Sequence, residues 1–293
     1  MPLTALALVL VAALLHAAWN IVAKKINAGP HFPLLSSVFI VLLWSPLGLW
    51  LAIDALPRWG LAEWSLLLAS AVANLVYIRA LLAGYRAAEL TVVYPVARGT
   101  GPLVSSFAAV LVLGETLGAQ GIAGVLGITA GVFLIAGGPR LWSAAHDPAQ
   151  RQRVRAGLAW GGFTGLAIAT YTVIDAYAVK VLLISPMLVC WIGNLLRIHL
   201  LLPTAWADRA GLARETRASW RAVLLVAALS PLSYLLVLYA VQQAPLSLVA
   251  PAREVSMLFA ALIGGRLLGE SDRGLRLLGA ACIAGGVIAL ATA

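Results

Sequence analysis

Charge is scarce in this sequence. Only 11% of its 293 residues are Asp, Glu, Lys or Arg, against 62% hydrophobic, whereas an average soluble domain carries roughly 25% charged residues. There are too few charges to cover a sphere of this mass and too many apolar residues to hide inside it. A soluble fold is therefore excluded, and a bilayer is the solvent that fits. Cysteine is nearly absent. Cys190 and Cys282 both lie in long apolar runs, which excludes a disulfide scaffold and makes them small lipid- or core-facing residues. No Cys–His spacing marks a metal site, and the four histidines are scattered. Neither H-E-x-x-H nor a Walker A loop occurs, so no metal, cofactor or ATP drive is called for. Gly and Pro follow no collagen period, and no heptads with charged flanks recur.

What is present is a series of apolar stretches, each of about 18–23 residues, enough for a helix to span a hydrocarbon core of about 30 Å. Ten are predicted: 3–23, 33–52, 63–83, 90–113, 119–137, 156–178, 183–202, 221–241, 247–268 and 275–292. The runs are continuous rather than alternating, and lipid-facing backbone must satisfy itself within each segment, so helices are expected and strands are not. The first run lacks a basic leader and is followed by Lys24-Lys25, which reads as an uncleaved helix. Connections are short except 138–155 and 203–220.

The chain also repeats itself. A shift of 155 residues places Arg98 on Arg253 and Glu115 on Glu270. It sets Leu113-Gly114-Glu115 against Leu268-Gly269-Glu270, and Tyr94-Pro95-Val96-Ala97-Arg98 against Ala250-Pro251-Ala252-Arg253 with a one-residue gap. Trp19-Asn20 falls near Tyr171-Thr172. The expected fold is an all-α integral membrane protein of ten transmembrane helices in two five-helix repeats, 1–138 and 155–293, joined by a loop at 139–154. An odd number of spans makes the second repeat enter from the opposite side, so the repeats are inverted, an arrangement that suits alternating access.

The net charge of +9 would point to nucleic acid in a soluble protein. Here 14 of the 20 basic residues fall in the connections after odd-numbered spans or at the span ends beside them, and only Arg58 and Lys180 fall on the opposite side. Basic loops stay in the cytoplasm. Both termini are accordingly expected on the periplasmic side of a bacterial inner membrane, and the positive charge reports topology and lipid headgroups rather than a nucleic-acid partner.

Together, His16-Ala17-Ala18-Trp19-Asn20 with Lys24, Tyr94–Gly99, Leu113-Gly114-Glu115, Tyr171–Asp175, Arg253-Glu254 and Leu268-Gly269-Glu270 resemble the drug/metabolite transporter superfamily, specifically its ten-helix EamA-type members. The resemblance covers essentially the whole chain. It implies a secondary transporter of small organic metabolites. Among the alternatives it ranks export of amino acids, as in YddG-type exporters, ahead of export of drugs or other metabolites, and nucleotide sugars last. Many ten-helix relatives are drawn with cytoplasmic termini, and the charge count here argues the reverse. The implied partners are a small-molecule substrate and the lipid bilayer. A monomeric working unit is compatible with the sequence, which leaves oligomeric state, flux direction and substrate identity open.

Ionisable groups at membrane depth cost roughly 2.5–3.5 kcal/mol each on insertion scales and normally face a bundle interior. Arg98, Arg253 and Glu254 are expected to form a charge cluster between the halves, either a pathway lining or a buried network holding the fourth and ninth spans together. Its surplus positive charge would suit a substrate carboxylate. Trp19, Asn20, Asn74, Tyr77, Tyr94, Tyr171, Tyr234 and Tyr239 put amphipathic groups inside spans and, Tyr239 apart, complete the predicted substrate site. His16, Asp175 and Glu254 are candidates for proton coupling, though uncoupled transport fits equally, and Asp175 is also a possible partner for Lys24. Pro95, Pro102 and Pro251, with Gly99 and Gly101, are expected to kink or break their helices. Trp44, Trp50, Trp59, Trp64 and Trp220 are assigned to an interfacial belt. Glu115 and Glu270 are expected to cap the helix that follows each. The glycines at 121, 124, 127 and 131, and at 279, 285 and 286, are expected to form close-packing or dimerisation faces. A membrane enzyme would need a nucleophile with its base or a metal, and a non-transporting scaffold would need no polar groups at depth, so neither class is favoured.

Overall fold

The structure is a computed structural model that describes residues 1–26, 29–135, 148–259 and 273–293. Within them lie ten α-helices: α1 (Leu3–Lys25), α2 (Phe32–Ala55), α3 (Leu61–Ala87), α4 (Leu90–Val112), α5 (Ala119–Ile135), α6 (Pro148–Lys180), α7 (Pro186–Ala207), α8 (Arg209–Gln243), α9 (Leu246–Ala252) and α10 (Arg273–Thr292). A 3-10 turn, Leu56–Arg58, follows α2, and among the described residues there is no strand. Seven helices, α1–α4 and α6–α8, are long and apolar enough to cross a membrane, while α5 and α10 contain shorter apolar stretches. The chain is a multi-pass membrane protein. Glu270 and most of the 138–155 connection lie outside the described residues.

Three expectations change. The 203–220 connection is not a loop: α7 ends at Ala207 and α8 begins at Arg209, with Asp208 alone between them. The segment 209–220 is rich in Ala and Arg, which propagate helix. The Asp208 carboxylate accepts the Gly211 amide at 2.9 Å and caps the new helix. α6 likewise starts at Pro148, inside the expected joining loop, with proline at a first-turn position that needs no amide donor. Pro95 and Pro102 do not break α4, which is helical throughout. The ninth span breaks instead. α9 stops at Ala252, Arg253 and Glu254 form a turn with i→i+3 bonds, and helix resumes over 255–259.

The two termini share one side. The Met1 ammonium donates to the Ala291 carbonyl at 3.0 Å, Thr4 to Gln243 at 2.7 Å and Gln120 to Thr292 at 2.6 Å. On the other side, the His31 amide donates to Glu215 at 3.0 Å and its ring pairs with Asp208 at 2.9 Å. Arg209 stacks 3.8 Å from the Trp206 ring and Arg221 5.3 Å from Trp220, which fits basic helix ends among headgroups. Trp50, Trp64 and Trp220 are exposed, as a belt requires, but Trp44 turns inward and donates to the Ala227 carbonyl at 3.1 Å.

Packing crosses the chain midpoint. α1 lies against α8, α3 against α6, α2 against α7, α4 against α9, and α5 against α10. Gly124, Gly127 and Gly131 are used in the last pair, against Gly279 and Gly286, while Gly285 faces open space. A Cβ on Gly131 would come 2.6 Å from the Gly279 carbonyl, and one on Gly286 would come 2.8 Å from the Gly124 carbonyl. These contacts run antiparallel. The obstacle is backbone, which cannot rotate away, so Gly131→Val is expected to destabilise by about 1–3 kcal/mol through overpacking. Thermal unfolding of the detergent-purified variant checks this, and an unchanged midpoint would contradict the tight interface.

Candidate functional site

The helices enclose a cavity of about 370 Å³. Its lining comes from the halves of α1, α2 and α3 farthest from the termini (His16, Trp19 and Asn20; Phe32 to Ile40; Ser70 to Leu81) and from facing parts of α4, α6, α7 and α8. Toward the termini the same helices pack shut. Ala5, Val9, Ala12, Ala109, Val179, Met187, Leu188, Val241, Leu246 and Val249 form part of one buried apolar cluster there. The cavity is thus plugged at the termini end, while mouth-side residues such as Phe32 and Pro33 retain exposure. Polar groups sit inside this hollow because the surrounding lipid would penalise them.

All of the sequence-selected residues except Glu254 and Tyr239 line this space: His16, Trp19, Asn20, Asn74, Tyr77, Tyr94, Arg98, Tyr171, Asp175, Tyr234 and Arg253. Tyr239 is instead 41% exposed on the outside of α8. The aromatic walls are formed by ring contacts, His16 edge-on to Trp19 at 5.0 Å and Tyr77 tilted on Tyr171 at 5.9 Å. Asn20 donates to the His16 carbonyl one turn back, at 2.7 Å, which aligns the polar face of α1.

The expected charge cluster is formed. Arg98 Nη2 lies 2.8 Å from Glu254 Oε2, a close ionic contact whose angles fall short of a hydrogen bond, and donates to Ser256 Oγ at 3.0 Å. Arg253 Nε is 3.9 Å from the other Glu254 oxygen. Glu254 is 1% exposed and lies behind the two guanidiniums rather than on the cavity wall. Side chains of neighbours in a continuous helix point about 100° apart; at the Arg253-Glu254 turn the Arg253 Nε comes within 3.9 Å of the Glu254 carboxylate.

Asp175 is gripped by side chains from two other helices, while the side chain of Lys24, its possible partner, lies outside what the structure describes. Ser70 donates to its Oδ1 at 2.5 Å and the Tyr234 hydroxyl donates to its Oδ2, so three helices meet on one carboxylate. Opposite, on α7, a lining stripe of Val189, Cys190, Gly193, Asn194 and Arg197 faces the cavity. Arg197 Nη1 donates to Asn194 Oδ1 at 3.1 Å, and Asn194 donates to the Cys190 carbonyl at 2.8 Å. Ser70, Asn194 and Arg197 were missed as site residues. The signal available was the i, i+3 spacing of Asn194 and Arg197 within an apolar span. Cys190 proves to face the cavity.

At the plugged end, Glu115 caps a helix, though not the following one. It accepts the amides of Leu246 at 2.7 Å and Ser247 at 2.9 Å, at the start of α9, and Lys180 at 2.8 Å. Lys180 also donates to the Ala244 carbonyl at 3.1 Å. Burial opposes ionisation of Glu115, but Lys180 and the Ser247 and Leu246 amides outweigh it and hold the carboxyl below its ordinary range.

Membrane-crossing helices around a central polar hollow define the class of polytopic solute transporters. Residues 155–292 match the family model described as EamA-like transporter family. Over those residues, somewhat under half of the chain, the protein is similar to that family of membrane transporters. No curated protein matches the sequence. One solved crystal structure aligns over 98% of this chain and 97% of its own length with a TM-score of 0.74 at 15% identity, which shows a shared fold.

Proposed function

We propose that the protein is a secondary exporter of amino acids across a bacterial inner membrane, working by alternating access. The single observation that carries this reading is the cavity, charged, aromatic-walled and accessible from one end only. At about 370 Å³ it lies at the small end of ligand pockets, which run roughly 300–1,000 Å³. That favours an amino acid over a nucleotide sugar. Two inverted repeats supply the means to open the other end. In support, α5 and α10 run antiparallel, and their reciprocal contacts Gly131–Gly279 and Gly124–Gly286 exchange under the same shift of 155 residues that pairs Arg98 with Arg253. The basic residues gathered on the side opposite the termini make that side cytoplasmic, so the cavity faces inward. Trp19, Asn20, Asn74, Tyr77, Tyr94, Tyr171, Tyr234, Arg98 and Arg253 contact the substrate, with Glu254 fixing the two guanidiniums.

Counterflow in proteoliposomes loaded with a panel of unlabelled amino acids tests the reading. External labelled amino acid is expected to accumulate transiently when a transported amino acid is inside. No accumulation for any amino acid, with accumulation of labelled lipophilic drugs, would replace amino-acid export by drug export.

A further inference from the structure

We propose that the cavity holds its substrate by two opposite poles: Arg197, positioned by Asn194, takes a carboxylate or similar anion, and Asp175, positioned by Ser70 and Tyr234, takes an ammonium. The substrate is therefore a zwitterion whose two charged ends are met by groups other than the Arg98–Glu254–Arg253 cluster, which borders it along the wall. This deepens the proposed function and rests on its reading of the cavity as the transport site.

The argument begins with charge balance. Arg98 and Arg253 each have the Glu254 carboxylate within 4 Å, although one positive charge is left over in that cluster. Arg197 and Asp175 are not so served. Among the described residues no carboxylate lies within 4 Å of Arg197 and no cation within 4 Å of Asp175. Both nevertheless line the cavity at membrane depth, and Asp175 is 4% exposed. An ionised group in such a place is costly unless it is paired. Their protein contacts are those of held ligands rather than of neutralised pairs. Asp175 is pinned by two hydroxyls, which orient it and leave lone pairs for a further donor. Arg197 spends Nη1 on Asn194, while its Nε has no partner among the described residues. A fork with free donors suits a planar carboxylate. The poles also lie at different depths. Asp175 ends the α6 stripe at the plugged end, whereas Arg197 is about 12 Å of helical rise nearer the mouth than Val189 at the start of the α7 stripe. A small molecule lying along the cavity would meet one pole with each end, its side chain against the Tyr77–Tyr171 wall.

The test is ligand-induced thermal stabilisation of the detergent-purified full chain, using L-leucine, its decarboxylated amine 3-methylbutan-1-amine, its deaminated acid 4-methylpentanoate, and two zwitterions that are not amino acids, taurine and glycine betaine. The wild type is expected to bind a zwitterion at least about tenfold more tightly than either single-pole analogue, because each pole contributes a charge-assisted hydrogen bond worth about one to two decades. Arg197→Gln is expected to weaken the zwitterion and the acid by about 10- to 100-fold and leave the amine unchanged. Asp175→Asn should do the reverse, weakening zwitterion and amine and sparing the acid. A merely structural role would lower affinity for all ligands alike, and that result overturns the proposal. So does a wild type that prefers a single-pole analogue or binds none of the five, or an Arg253→Gln variant that alone shows the acid-selective loss. Binding of taurine or betaine with no binding or counterflow of any amino acid would instead refute amino-acid export while upholding the two poles.

Discussion

Arg98→Gln is expected to lower stability by about 3–5 kcal/mol and to abolish counterflow, the magnitude typical of removing one partner from a buried ion pair. The carboxylate left behind is Glu254, 1% exposed. Its only other cation within 4 Å among the described residues is Arg253, whose Nε stands 3.9 Å away. The loss also frees Ser256, which Arg98 holds at 3.0 Å, and loosens α4 from the turn after α9. The polar contact between α4 and this turn therefore depends on this one guanidinium. Replacing both partners separates the roles. The double variant Arg98→Met with Glu254→Met removes both charges and fills similar volumes, and buried pairs so replaced are often neutral or more stable. It should recover most of the lost thermal stability in detergent yet remain inactive, because Arg98 and the turn that aims Arg253 line the cavity. A double variant that recovers both stability and counterflow would reduce the cluster to a helix clamp.

The parts of this protein legible in its sequence are those set by the solvent. Runs of about 20 apolar residues have no alternative to helix in lipid, so the expected spans agree with the helices except at their ends and in the ninth. Arg98 and Asp175 were legible as site residues because depth alone makes an ionisable group functional or paired. Partner choice was not legible. Asp175 meets Ser70 and Tyr234, 105 and 59 residues away, and nothing local encodes those meetings. Glu115 had the chemistry of a cap, but the helix it caps begins 131 residues on. Prolines were read correctly only in part. Pro95 and Pro102 sit in an unbroken α4, where Ser105 and Ser106 donate to the Pro102 carbonyl at 3.0 and 2.8 Å. Pro251 precedes a real break, whose turn gathers Arg253 and Glu254 under Arg98. Asn194 and Arg197 went unread because Arg197, inside a span, entered neither the loop count nor the expected charge cluster.

Glu115→Ala is expected to shift the transporter toward the conformation open on the termini side by about 10- to 100-fold. In the described structure that end is shut, and Glu115 ties the first half, through the α4–α5 connection, to three points of the second: Lys180 and the Leu246 and Ser247 amides. Opening this end must break those contacts. Each is a charge-assisted hydrogen bond, and such bonds contribute about 1.5–3 kcal/mol where shielded and less where water competes. Removing them penalises only the closed form. Spin labels on Gly118→Cys and Val181→Cys, which sit at exposed positions of opposite halves, in a chain with Cys190 and Cys282 replaced by Ala, would report the opening as growth of a longer distance. Acid should act in the same direction. The closed form holds the Glu115 carboxyl below its ordinary range, so its stabilising effect is fully present above that range, about pH 4.3, and is lost as pH falls through the lowered value. The long-distance population should therefore rise in acid for the wild type. It should not rise through this group in Glu115→Gln, which keeps the shape and removes the titration. Equal distance distributions for wild type and Glu115→Ala at neutral pH would show that the apolar plug alone, from Val179 and Val241 to Leu246, keeps the far end closed.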